Sequence, residues 1–245
     1  IKNLLSFYKS LTVPVSAIGI ALPGHYNCSS KILTNNYTWK HFDLKKIIDS
    51  VEIPIFFENN VNCMALAEHF FYSQRNENFL FFHIGRGIHC SYFYKGDIFS
   101  KENFLIGEIG HTVVNLDGQY CECGKRGCLQ TYTSETWLLK YSQSIYRNST
   151  STFLHQLVDT ESEISMETLL TAYDLGDPAI LKIFDNALNY IALTLNNLNM
   201  ILDSAKIFLH GQIFDNKNIF NFLTQLLNVE PKLLVFPKQE EIIKK

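Results

Sequence analysis

Two short, almost wholly apolar runs, residues 17–22 (AIGIAL) and 53–57 (IPIFF), are bounded by turn residues. Such runs predict strands buried on both faces of a sheet with helices on either side. Between them, DLKKIIDSV spaces Leu44, Ile47, Ile48 and Val51 as a helix does, giving a strand–helix–strand unit. Ahead of it, IKNLLSFYKSL reads as an amphipathic helix. A domain seldom opens on a helix that feeds a buried strand, so the pattern implies N-terminal elements missing before Ile1. After Phe57, ENNVNCMALAEHFF predicts a turn and then a helix with Met64, Leu66, Ala67 and Phe70 as its apolar stripe. NFLFFHIG and HCSYFYKGDIF predict a hairpin or consecutive strands, with Gly85 and Gly87 in the first turn and Lys95-Gly96-Asp97 in the second.

The second half reads as helical. Ser134 is an N-cap for a helix running to about Tyr146, with Glu135 in its first turn. Residues 147–163 are weakly patterned and read as surface. SMETLLTAYDLGD closes at Gly176, and Asp177-Pro178 starts another helix with a capping Asp and Pro at its first position. There Ile180, Ile183, Phe184, Ala187, Leu188, Ile191, Leu195 and Leu198 keep helical spacing for nearly six turns. KIFLHG predicts a further buried strand and NKNIFNFLTQLL a further helix. The fold class is α/β with mixed sheets.

With 245 residues, 47% apolar and 18% charged, the chain forms one large domain or two small ones around a substantial core. Its net charge of −3 argues against a nucleic-acid surface on these residues. No apolar run reaches the roughly 18 residues that would cross a bilayer, and the start lacks a signal-peptide pattern. A cytoplasmic location, with reduced thiols, is expected.

That matters for residues 107–130, GEIGHTVVNLDGQYCECGKRGCLQ. The spacing H-x9-C-x-C-x4-C uses His111, Cys121, Cys123 and Cys128, a complete tetrahedral set for structural zinc with no position open for a catalytic water. Gly118, Gly124 and Gly127 let the backbone turn tightly, and Lys125-Arg126 offset the thiolate charge. Disulfide pairing is disfavoured by the single residue between Cys121 and Cys123 and by a reducing compartment. Cys28, Cys63 and Cys90 read as buried thiols. Glu108 and Gln130 flank the ligands. Two readings stand open for them: polar groups presented to a polyhydroxy ligand, or plain surface residues.

GEIGH followed by C-x-C-G-x-x-G-C-L resembles the signature of the ROK family of bacterial sugar kinases and sugar-responsive transcriptional repressors. IGIALPGHYN and FFENNVNCMALAEHFF resemble that family's strand with its Pro-Gly turn and its E-N-D-x-N-x-x-A-L-A-E segment, in the same order. The resemblance runs from about Ile18 to Gly211. It implies an actin-like (ribonuclease H-like) fold of two lobes: an incomplete N-terminal lobe over 1–64, and a larger lobe over 65–245 that carries the zinc-stabilised loop.

The resemblance further implies a sugar pocket at Asn59, Asn60, Glu108, His111 and Gln130. Asn60 stands where the kinases have the Asp that takes the proton from the attacking hydroxyl, and Gln130 where they have a Glu. An amide cannot take that proton, and general-base assistance is worth about 10²- to 10⁴-fold. The kinases' Gly-Thr-Gly-x-Gly phosphate loop is here GRGIHCS, crowded by Arg86, His89 and Cys90. Their late glycine-rich turn keeps only Gly211, and their first phosphate-binding turn is absent.

The leading expectation is therefore the effector-binding and dimerisation part of a transcriptional regulator, a homodimer that binds a sugar or sugar phosphate and has lost kinase activity. DNA contact would fall to a helix-turn-helix absent from this chain. The alternatives are an ATP-dependent sugar kinase, or a degenerate protein whose zinc lobe serves assembly. The PKQEEIIKK tail stops where the resembled family continues with a final helix.

Overall fold

A computed structural model of the chain describes residues 2–27, 32–34, 44–71, 77–100, 103, 105–227 and 234–235. Cys28 and the 237–245 tail lie outside the described residues. Helix α1 (Lys2–Ser10) leads into strand β1 (Ile18–Leu22), the hairpin strands β2 (His25–Asn27) and β3 (Ile32–Thr34), the single turn α2 (Lys45–Ile48) and strand β4 (Ile55–Asn59). β1 and β4 pair in parallel, Ile18 opposite Ile55 through Leu22 opposite Asn59. Leu22, Leu44 and Ile47 cover one face of this pair. The other face, with Phe56 66% exposed, is open among the described residues. The two runs were expected to be buried on both faces, but a two-stranded ribbon with one short covering helix buries one. β4 also starts two residues later than its apolar run.

No turn separates β4 from helix α3 (Asn60–Phe71). Its inner face is Val61, Ala65 and the buried Glu68, with Met64 and Leu66 partly buried, whereas Phe70 is 73% exposed. The expected stripe is rotated, because packing against the main sheet buries Val61 and Ala65.

The main sheet is mixed, in the order β7-β6-β5-β8-β9, built from β5 (Phe79–Ile84), β6 (Ile88–Tyr94), β7 (Asp97–Ile98), β8 (Lys206–His210) and β9 (Leu234–Val235). β5 and β6 form the antiparallel hairpin around Gly85-Arg86-Gly87, and β5 runs parallel to β8. Side chains alternate across it. Phe79, Phe81, Phe93 and Phe208 face α3, while Leu80, Phe82, Ile84, Tyr92, Ile207 and Leu209 face the helical layer.

That layer comprises α4 (Gln130–Thr133), α5 (Glu135–Asn148), α6 (Leu154–Leu157), α7 (Met166–Asp174), α8 (Pro178–Ile201) and α9 (Lys217–Leu226). α8 is the spine. Ile180, Phe184, Ala187, Leu188, Ile191 and Leu195 are buried along it, and Asp177 caps it by accepting from Ala179 N and Ile180 N. The buried Leu154 and Thr152 bring the weakly patterned 147–163 stretch into the core, where Thr152 donates to Asp177 Oδ2 at 2.6 Å. No helix among the described residues is long and apolar enough to cross a membrane.

Candidate metal centre and ligand pocket

The loop after β7 is tied back to β6 where Cys90 N donates to Gly107 O at 2.9 Å. A 3-10 turn at Ile109–His111 follows. The chain then doubles on itself through bridges pairing Val113 with Cys128 and Tyr120 with Arg126. Two glycines make the doubling possible. Gly124 has φ +87° and Gly127 φ +66°, and a Cβ on Gly127 would lie 1.5 Å from Asn115 O.

The fold brings His111, Cys121, Cys123 and Cys128 together, with their ligand atoms all within 4.8 Å of one another. His111 Nδ1 stands 3.5 Å from Cys121 Sγ, and Cys123 Sγ 3.6 Å from Cys128 Sγ. Zn–S bonds of about 2.3 Å and Zn–N bonds of about 2.0 Å around a tetrahedral ion place sulfurs about 3.8 Å apart, and nitrogen about 3.6 Å from sulfur. A disulfide needs about 2.05 Å. The donor set and its spacing therefore fit a four-coordinate soft cation. Lys125 Nζ, donating to His111 O at 2.7 Å, brings a positive charge beside it.

Gln130, the first residue of α4 and only 5% exposed, turns its amide to this cluster. Nε2 donates to Cys121 Sγ at 3.4 Å and to Glu122 Oε1 at 2.6 Å.

A small, partly open cleft lies beside the loop. Its lining includes Asn59, Asn62, His89, Ser91, Phe99 and Glu108. His89 Nδ1 stands 3.5 Å from Glu108 Oε1. Asn59 Oδ1 accepts from Val61 N and Asn62 N at 2.8 and 3.2 Å, and its Nδ2 donates to Gly24 O at 3.1 Å. Asn59 thus joins the β1 turn to the start of α3. Ser91 Oγ donates to Asn62 Oδ1 at 2.6 Å, locking α3 to β6.

Of the five residues that the family resemblance assigns to the pocket, Asn59 and Glu108 share this opening. Asn60, half-buried at the head of α3, His111 and Gln130 are not among its lining residues. The sequence reading treated His89 as an obstruction to a phosphate loop; the strand alternation that places it with Ser91 and Phe93 was the signal for its pocket role.

His89 also belongs to a row. It pairs with His83 across β6 and β5, and His83 with His210 across β5 and β8. His83 Nδ1 and His210 Nδ1 are 2.8 Å apart, so one donates and the other accepts. Burial, with the neighbouring His210 and His89, pushes His83 down to about 4. The pair is uncharged at neutral pH.

The model of the ROK family matches residues 1–242. The xylose repressor of Bacillus spizizenii is 28% identical over 202 residues, covering 81% of this chain and 49% of the repressor. The glucokinase of Halalkalibacterium halodurans is 27% identical over 217 residues, 86% of this chain and 66% of the enzyme. The chain thus spans about half the length of the repressor it matches. Among solved structures, a ROK family transcriptional regulator described as a homolog of the Escherichia coli MLC protein superimposes with a TM-score of 0.78 at 24% identity. That match covers 96% of this chain and 61% of the regulator, and it shows the shared actin-like fold.

Proposed function

The chain belongs to the ROK family, and we propose that it is the effector-binding and dimerisation part of a ROK transcriptional regulator that binds a sugar or sugar phosphate without phosphorylating it. The observation that carries this reading is Asn60, an amide where the family resemblance places the kinases' catalytic carboxylate. The neighbouring carboxylate is already engaged: Glu58 Oε1 accepts from Asn59 N at 2.8 Å and Asn62 Nδ2 at 3.0 Å. At the matching phosphate turn the sequence is GRGIHCS, with Arg86 exposed and His89 turned to Glu108.

In this reading the lobes 1–64 and 65–245 close on the sugar, with α3 running between them. Asn59 and Asn60 approach it from one side, and Glu108 and the outer nitrogen of His111 from the other. Gln130 acts from behind the loop. The cluster holds Zn²⁺, whose role is to fix the loop that presents Glu108 and His111, since four protein ligands leave no open position for chemistry. Closure biases one of two subunit arrangements in a cytoplasmic homodimer. DNA contact then belongs to a helix-turn-helix outside these 245 residues.

The test is calorimetric titration with a panel of aldoses, N-acetylhexosamines and their phosphates, xylose and glucose included. Saturable binding of at least one supports the reading. No binding to any of them favours a lobe that serves assembly alone. The kinase reading draws on the identity with a glucokinase over 86% of the chain, and transfer of phosphate from ATP to the bound sugar would establish it.

A further inference from the structure

Glu122 lies between two metal ligands in sequence, and its Oε2 is 3.8 Å from Cys121 Sγ. Three thiolates and a neutral imidazole on a divalent ion leave a net negative charge, and a carboxylate this close adds to it. Among the described residues, the group standing between the two is Gln130. Its buried –NH₂ has two hydrogens, one directed at Cys121 Sγ (3.4 Å) and one at Glu122 Oε1 (2.6 Å). Its carbonyl oxygen points the other way, toward Gly110 and Gly87, where only a hydrogen stands in place of a side chain.

An amide satisfies this place and a carboxylate does not. A glutamate at 130 would bring acceptors only, and would set a third negative group against Cys121 and Glu122. Resting on the reading of the cluster as a zinc site, we propose that Gln130 is a positioning residue of the metal centre: its amide bridges the Cys121 thiolate and Glu122, and thereby sets metal affinity. The amide at this position is then a feature of the metal loop, matched to Glu122, rather than a weakened sugar contact. Donors to ligating groups of this kind change metal affinity by about 10- to 100-fold when lost.

The test is competition of the full chain against a chromophoric chelator for Zn²⁺, in wild type, Gln130→Glu, Gln130→Met and the double variant Gln130→Glu/Glu122→Gln. Both single variants should lose about 10- to 100-fold in affinity, and the double variant should recover most of the loss of Gln130→Glu. Where Gln130→Glu does not fold, Gln130→Met carries the test, because it removes the donor at similar volume without adding charge. Cobalt substitution supplies a second readout. The thiolate-to-cobalt absorption of Gln130→Met should move to longer wavelength, since its sulfur has lost a hydrogen bond. Single variants within about twofold of wild type in affinity, with equal loss of melting temperature in the apo and metal-loaded forms, would make Gln130 a packing residue and overturn the proposal. A wild-type chain that binds no zinc would instead overturn the zinc reading on which the proposal rests.

Discussion

His89 Nδ1 and Glu108 Oε1 face each other at 3.5 Å across the opening beside the metal loop. One comes from the central sheet and the other from the loop, so in the proposed reading a ligand that engages Glu108 also meets His89. Glu108→Gln keeps the shape and removes the charge. A hydrogen bond to a charged group is worth about 1.5–3 kcal/mol, so sugar affinity should fall about 10- to 100-fold. The melting temperature should barely move, because the substitution keeps the side chain's size and shape. Calorimetry with a thermal melt checks both; unchanged affinity would remove Glu108 from the site.

Removing the metal should loosen residues 111–130 before it unfolds the core. Lys125 and Arg126 are exposed at the tip of this loop, and their positions depend on Cys121, Cys123 and Cys128 being held together. Limited trypsin digestion after treatment with a strong chelator should cut at these two residues, and restoring zinc should protect them. Equal cleavage rates with and without metal would mean that the loop holds its shape unaided.

Gly127→Ala should be severe. The new methyl group would stand 1.5 Å from Asn115 O at a φ of +66°, so the loop must open. We expect a loss of about 3 kcal/mol or more, together with less than one bound zinc per chain by elemental analysis. Gly124→Ala, with no atom within 4 Å of its Cβ, carries only the backbone strain of φ +87° and should retain the metal.

Two buried groups should give stability opposed dependences on pH. His83 is pushed from 6.5 to about 4 by burial and its histidine neighbours, so between those values the unfolded chain takes up a proton that the native state resists. Its contribution is complete above pH 6.5, declines as pH falls toward 4, and is constant below. The slope reaches at most about 1.4 kcal/mol per pH unit. Between pH 7 and 4, urea midpoints should fall less in His83→Gln than in wild type. Glu68, pushed up to about 7 by burial against the sheet, acts with the opposite sign. Its contribution is complete below pH 4.5 and is lost as pH rises through 7, so Glu68→Gln should steepen the acid loss.

α8 and the metal cluster were legible in the sequence because each is written locally. α8 carries unbroken helical spacing behind an Asp-Pro start, and the four metal ligands lie within 18 residues punctuated by glycine. The face of α3 was not legible: packing against Phe79, Phe81 and Phe93 of the main sheet, rather than the spread of apolar letters, takes Ala65 in and leaves Phe70 out. The histidine row needs the register of β8 against β5, more than 120 residues apart. Gln130 could be counted as a departure from the family motif, but its direction depends on where the doubled loop places Glu122. Local chemistry is readable where its geometry is also local.

The central claim is that this pocket binds a sugar and leaves it unchanged, and the measurement that tests it most directly is product analysis. The zinc-loaded chain is incubated with Mg·ATP and each sugar that it binds, and sugar phosphate is quantified by mass spectrometry. The account predicts recovery of the unmodified sugar, in wild type and also in Asn60→Asp, whose GRGIHCS turn still departs from the kinases' phosphate loop. Accumulation of sugar phosphate by the wild type at rates approaching the roughly 1–100 s⁻¹ of kinases would contradict it.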